Sequence, residues 1–398
     1  MTGTVELTSG ELLVDKSIII SGPGPENLAV NGSAKRRVFH VSNDPCGNVT
    51  ISGLTIVNGY TTGFGGGIHN DHAVLILNNC AITGNSAAGN IGGAIHNNAE
   101  YPDSALYATL EINNCSVTDN SGGGIYNNAE GGGVATVDIT DSTLSNNNSG
   151  LAIYSHGWSC IFCGNGTAKV RIINSSITGN PGGAIYSDTD LEGGGVSLLS
   201  STVSENSGVA IHISTLSNAS VSNSTISGNS GGGIYNDVGS SGSNLSNSTI
   251  SNNGTELTSY NGAFMTMRNT VFNVSSGGHS IVSDGLGTVK SIGYNLSSDD
   301  GGGYLTGPGD QINVNPLLGP LQDNGGPTFT HALLPSSPAI NAGDPNFVPP
   351  PNYDQRGPGF DRVRNARIDI GSFEVQSPRR ATPAPRSRPT PLPRPTPR

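Results

Sequence analysis

The sequence predicts an all-β chain, a right-handed three-sided parallel β-helix (a solenoid) ending in a C-terminal capping segment. Three observations predict it. The spacing apolar-x-apolar-x-x-small-x-apolar recurs nine times, an Asn follows most copies at a fixed offset, and a Gly-rich Ile-His/Tyr signature recurs behind it.

The first element of each unit carries the paired apolar residues. Its register runs Val49/Ile51, Leu75/Leu77, Leu110/Ile112, Val137/Ile139, Val170/Ile172, Val196/Leu198, Ala219/Val221, Ser243/Leu245 and Met265/Met267. Apolar residues alternate with polar ones, the period of a strand with one buried face. A corner follows, and a second short strand is anchored by Ile56, Ile82, Val117, Leu144, Ile177, Val203, Ile226, Ile250 and Phe272. These anchors lie 22 to 35 residues apart, the span of one coil with loop insertions near 99–108, 157–167 and 187–195. Leu12 to Ile20 reads as an earlier, degenerate coil.

Three residues beyond the anchors stand Asn85, Asn120, Asn147, Asn180, Asn206, Asn229 and Asn253. Asn accepts the left-handed backbone of a tight corner, and identical side chains repeated at roughly 4.8 Å can bond as a ladder. The third strand is announced around Ile68, Ile95, Ile125, Ile185 and Ile234, with looser copies at Ile153 and Ile211. A β-sandwich would show hairpin turns without this phased register, and the Leu spacing of a leucine-rich repeat is absent.

Composition narrows the function classes. Residues 1–355 carry a net −18 and residues 356–398 a net +7, which argues against a nucleic-acid partner for the long part. No apolar run is long enough for a membrane span. The start shows neither the basic nor the apolar region of a signal peptide, so export by another route or a truncated start is expected. Residues 377–398 hold eight Pro and six Arg, and are expected to form an extended, disordered spacer.

Beyond Leu296 the repeat fades into Asp323-Asn324-Gly325-Gly326-Pro327, Ser337-Pro338-Ala339-Ile340-Asn341-Ala342-Gly343, Asp354-Gln355-Arg356-Gly357 and Asp369-Ile370-Gly371-Ser372-Phe373-Glu374. This succession resembles the choice-of-anchor Q domain that closes bacterial surface proteins with pectin-lyase-like coils. The resemblance implies an extracellular or cell-surface protein, mostly without known chemistry. The expected organisation is solenoid over 1–298, cap over 299–376 and tail over 377–398. Within the cap, Asp354, Arg356, Asp369 and Glu374 are expected to pair as a polar network rather than to bind calcium.

The residue after each third-strand Ile should face outward, which places His69, His96, Tyr126, Tyr154, Tyr186, His212 and Tyr235 in one exposed aromatic column. Such a column could contact a cell-envelope or extracellular polysaccharide, with neighbouring Asn and Asp supplying hydrogen bonds. Stacked rings equally stabilise a coil with no ligand. Catalysis is not expected. Between Cys46 and Asp300 the only cations are Lys169, Arg171, Arg268 and Lys290, too sparse for the cationic cleft of a uronate lyase. The one tight acidic cluster, Asp188, Asp190 and Glu192, lies in a Gly-rich insertion. His156 near Cys160 and Cys163 lacks a fourth metal ligand, so no metal or cofactor is assigned. Cys80 and Cys115 share one position of adjacent units and read as small buried thiols. Cys160 and Cys163 would form a local bridge in an oxidising compartment, leaving Cys46 unpaired. The expected protein is a monomeric, non-catalytic adhesive or glycan-contacting solenoid, with a polysaccharide lyase or glycoside hydrolase as the alternative.

Overall fold

The structure, a computed structural model, describes residues 2–42, 47–89, 91–100, 107–159, 166–189, 193–237 and 242–376. Three parallel sheets of 11, 12 and 11 strands wrap a single narrow core. Each coil contributes one strand to each sheet, as in Asn48–Ser52 (first sheet), Thr55–Val57 (second sheet) and Ile68–Asp71 (third sheet). Ile177 lies beside Val203, and Val203 beside Ile226, in direct parallel register with no solvent exposure. Stacking like on like satisfies backbone hydrogen bonding between coils and keeps the core dry.

The corners explain the small and polar residues of the repeat. The turn between the first two sheets uses one left-handed residue per coil, among them Gly53, Asn79, Asn114, Asn174 and Asn223. Behind it, the side chains of Cys115, Ser142, Ser175, Ser201, Ser224 and Ser248 each accept the backbone N–H of the matching residue one coil before, at 3.0–3.2 Å. Cys80 and Cys115 are free thiols within this row.

At the next corner the Asn ladder is continuous. Side-chain amides link Asn85, Asn120, Asn147, Asn180, Asn206, Asn229 and Asn253 at 2.8–3.1 Å, all buried. The expected left-handed backbone falls one residue earlier, on Gly84, Asp119, Asn146, Gly179, Glu205, Gly228 and Asn252. The ladder Asn is required for its inward amide, so the turn itself is made by its neighbour. Asn120 shows the satisfaction achieved: its Nδ2 also donates to the carbonyls of Ile82 and Thr118, both at 3.0 Å.

The solenoid begins earlier than the repeat signature. Gly3–Glu6, Leu12–Val14, Ile18–Ser21, Leu28–Asn31 and Phe39–Ser42 already pair in register with the coils that follow. At the other end, Leu305 inserts into the core beyond the last strands. The chain then turns back. Residues 316–376 lie along the outside of the second sheet, where Gln355 bonds Thr202 and Thr225, and Ser372 bonds Thr225 and Thr249. Val271 and Leu296 join Leu333, Ala339, Ile370 and Phe373 in a separate apolar cluster beneath this segment. The C-terminal part therefore covers a flank as well as the end.

The predicted polar network does assemble there. Arg356 Nη2 bonds Asp354 Oδ2 at 2.6 Å, the guanidinium lies between the rings of Phe360 and Phe373, and Asp369 N–H donates to Glu374. Burial pushes the Glu374 carboxyl up to about 8. No helix among the described residues is long and apolar enough to cross a membrane.

Candidate functional site

The outer face of the third sheet carries a continuous row of aromatic side chains. His69, His96, Tyr126, Tyr154, Tyr186, His212 and Tyr235 stack in sequence with ring centroids 4.6–5.5 Å apart. Parallel in-register pairing forces this spacing, since each residue sits beside its equivalent one coil away. His40 extends the row at 5.0 Å and Tyr260 approaches Tyr235 at 5.8 Å. His96, Tyr126 and Tyr154 stack nearly face to face, whereas the pairs from Tyr154 to Tyr235 meet edge-on.

The column is less open than the sequence predicts. His96 is 3% and Tyr126 7% exposed, because the ring of Phe64 packs edge-on against both. The other five are half-buried. Burial lowers His69 to about 4 and holds His96 well below the ordinary imidazole range. It also raises Tyr126 and Tyr154, helped by nearby carboxylates. These rings are therefore uncharged near neutral pH.

The polar neighbours divide by strand parity. Asn70, Asn97 and Asn127, each one residue past a ring, point inward and bond to one another at 2.7–2.8 Å as a third buried ladder. They cannot serve a ligand on the surface. Two residues past each ring, Asp71, Asn98, Asn128, His156 and Asp188 form an outer polar row parallel to the rings, linked in part by Asn98–Asp71 and Asn128–Asn98 bonds of 3.1 Å.

Near the middle of this face lies a side-chain cluster whose convergence the sequence did not signal. His156 Nδ1 and Asp188 Oδ1 are 2.9 Å apart, the Tyr154 hydroxyl donates to Asp188 Oδ2 at 3.4 Å, and Trp158 stacks on His156 while remaining 54% exposed. A lone Trp outside the repeat register carries no periodic signal. Cys46, Cys160, Cys163, Asp190 and Glu192 lie outside the described residues, so the proposed bridge, the metal half-site and the acidic cluster have no structural description.

The outer face of the first sheet holds the cations. Lys169 and Arg171 share the strand Thr167–Ile173 and, with Asp138 and Gly193 to Gly195, line a cleft of about 360 Å³. Arg171 Nε bonds Asp138 Oδ1 at 2.7 Å, so one of the two positive charges is already neutralised.

Comparison with known proteins agrees with this architecture. No curated protein matches the chain in sequence. Among solved structures, the crystal structure of pectate lyase Pel9A is similar in fold, with a TM-score of 0.54 and 14% identity over 94% of this chain and 86% of that one. Residues 159–315 match the family model described as a right handed beta helix region, and the chain is thus a right-handed parallel β-helix with a pectin-lyase-like fold.

Proposed function

We propose that this protein is a non-catalytic β-helix that holds a polysaccharide along the third sheet, acting outside the cell or at its surface. The observation that carries this reading is the run of half-buried rings Tyr154, Tyr186, His212 and Tyr235 beside exposed Trp158 and the polar pair His156 and Asp188. Aromatic faces meet the apolar faces of sugar rings, and adjacent amides and carboxylates bond their hydroxyls. Trp158 and Phe64, partly exposed at the margin, extend the apolar surface. The likeness to a pectate lyase adds that this fold accommodates an extended polysaccharide. In this reading 1–298 is the solenoid, 299–376 a closing domain of the choice-of-anchor Q type, and 377–398 a spacer.

Retention of the full chain on immobilised acidic and neutral polysaccharides tests the reading. Replacing Tyr154, Trp158 and Tyr186 together by Ala should weaken retention about tenfold or more, at roughly 0.5–1.5 kcal/mol for each lost ring contact. Unchanged retention rejects it.

The enzyme reading rests on a different observation, the cleft that gathers Lys169, Arg171 and Asp138. A lyase requires a cation for the substrate carboxylate and a base for the adjacent proton, and Lys169 is placed to supply one of these. Release of unsaturated product from a uronate polymer, abolished by Lys169→Ala, would replace the binding reading by this one.

A further inference from the structure

At the N-terminal end of the ring row, side chains of two adjacent strands converge. His40 on Phe39–Ser42 lies beside His69 on Ile68–Asp71, and Asp71 follows His69 by two residues on the same outward face. One donor atom from each of His40, His69 and Asp71 lies within 4.8 Å of the other two. His40 Nε2 stands 4.0 Å from Asp71 Oδ2 and His69 Nε2 stands 3.9 Å from Asp71 Oδ1. These separations are too long for hydrogen bonds, and His40 Nε2 is a buried atom without a hydrogen-bond partner.

We propose that His40, His69 and Asp71 form a binding site for a divalent late first-row metal ion, with zinc the best match. Two imidazole nitrogens and one carboxylate oxygen are a donor set suited to zinc, and three protein ligands leave a position open to solvent or a ligand. Ligand atoms around a tetrahedral zinc lie about 3.3 Å apart, so small side-chain rotations close the present separations.

The surroundings favour metal-competent imidazoles. His40 Nδ1 is 3.0 Å from Glu11 Oε1, so the ring donates there and turns the lone pair of Nε2 toward Asp71. His69 Nδ1 faces His96 Nδ1 at 2.9 Å, and with His69 as the donor of that bond its Nε2 lone pair is turned toward Asp71. Such outer partners fix tautomer and orientation in metal sites. Asp71 Oδ1 contacts His72 Nδ1 at 2.9 Å and accepts from Asn98 at 3.1 Å, which holds the carboxylate in place. Arg37, the nearby cation, is paired with Glu11 at 2.8 Å. The three ligands are partly exposed, so an ion can enter from solvent.

Titration of the tag-free full chain with zinc chloride, and with cobalt(II) followed by its visible absorption, tests the site. One ion should bind per chain. His40→Gln or Asp71→Asn should weaken binding by at least roughly 100-fold, and Glu11→Gln by about 10- to 100-fold. His279→Gln, at an exposed histidine far along the solenoid, should leave binding unchanged. X-ray absorption of the zinc-loaded wild type, independent of any variant, should show two imidazoles and an oxygen ligand. Failure of the wild type to bind one ion, binding that survives both His40→Gln and Asp71→Asn, or a spectrum with fewer than two imidazoles would overturn the proposal.

Discussion

Single residues decide how the interior tolerates polar groups. Asn253 ends the ladder, and its Nδ2 and N–H both donate to Glu256, whose side chain is wholly buried. Burial outweighs these bonds, which favour the charged form, and with a smaller push from the neighbouring Asp299 carboxylate it raises the Glu256 carboxyl from 4.5 to about 8. A folded-state value above the unfolded one means that the fold prefers the protonated acid. The stabilisation is complete below about pH 4.5 and is lost as pH rises through 8. Glu256→Gln keeps an acceptor for Asn253 but cannot ionise. It should unfold at higher temperature than wild type at pH 8.5 and at nearly the same temperature at pH 4.5. The difference should be on the order of a few kcal/mol, since each tenfold change in proton affinity is worth about 1.4 kcal/mol. Equal melting curves at pH 8.5 would show that Glu256 is not held as the neutral acid.

At the scale of elements, the strands were legible and the long-range placement was not. Alternation of apolar and polar residues identifies a buried face whatever the partners, so Ile177, Val203 and Ile226 stand where periodicity puts them. The same parity would have turned Asn70, Asn97 and Asn127 inward, since each lies two residues past an inward Ile. Their polarity masked that signal. Phe39–Ser42 lacks the Gly-rich signature of later third-sheet strands, and with it the neighbourhood of His40 and His69 was missed. Residues 316–376 have no period, and their contacts reach back across 100 residues or more, as in Gln355 to Thr202. This contact gives a test. Gln355 also bonds Thr225 and Thr328, so Gln355→Ala removes several buried hydrogen bonds, at roughly 0.5–1.5 kcal/mol each, while those hydroxyls keep their other partners. Hydrogen exchange should then quicken in Thr330–Leu333 and its partner strand Leu318–Gln322 while Leu110 and Ile112 stay protected.

Across the whole molecule, coils contact only their neighbours except where the C-terminal segment ties several together. A solenoid without such a tie behaves as a one-dimensional chain of units, and local damage stays local. Ile112→Ala and Ile226→Ala each remove a wholly buried side chain, at about 2–5 kcal/mol. Ile112 lies in a coil away from the C-terminal segment, whereas Ile226 follows Thr225, to which Gln355 and Ser372 are bonded. Denaturant unfolding of Ile112→Ala should broaden or split, as the early coils melt first. Ile226→Ala should shift one transition covering the braced coils. Identical curves for the two variants would mean that the segment does not couple those coils.

The folded-back segment also governs how the protein would bear mechanical load. Tension applied through the residues after Gln376 reaches Arg356, Gln355 and Ser372 first, and passes from them into strands around Thr202, Thr225 and Thr249. The pull is thus shared by several bonds over the eighth to tenth of the twelve strands of the second sheet, and does not fall on the short last strand Leu296–Ser297 alone.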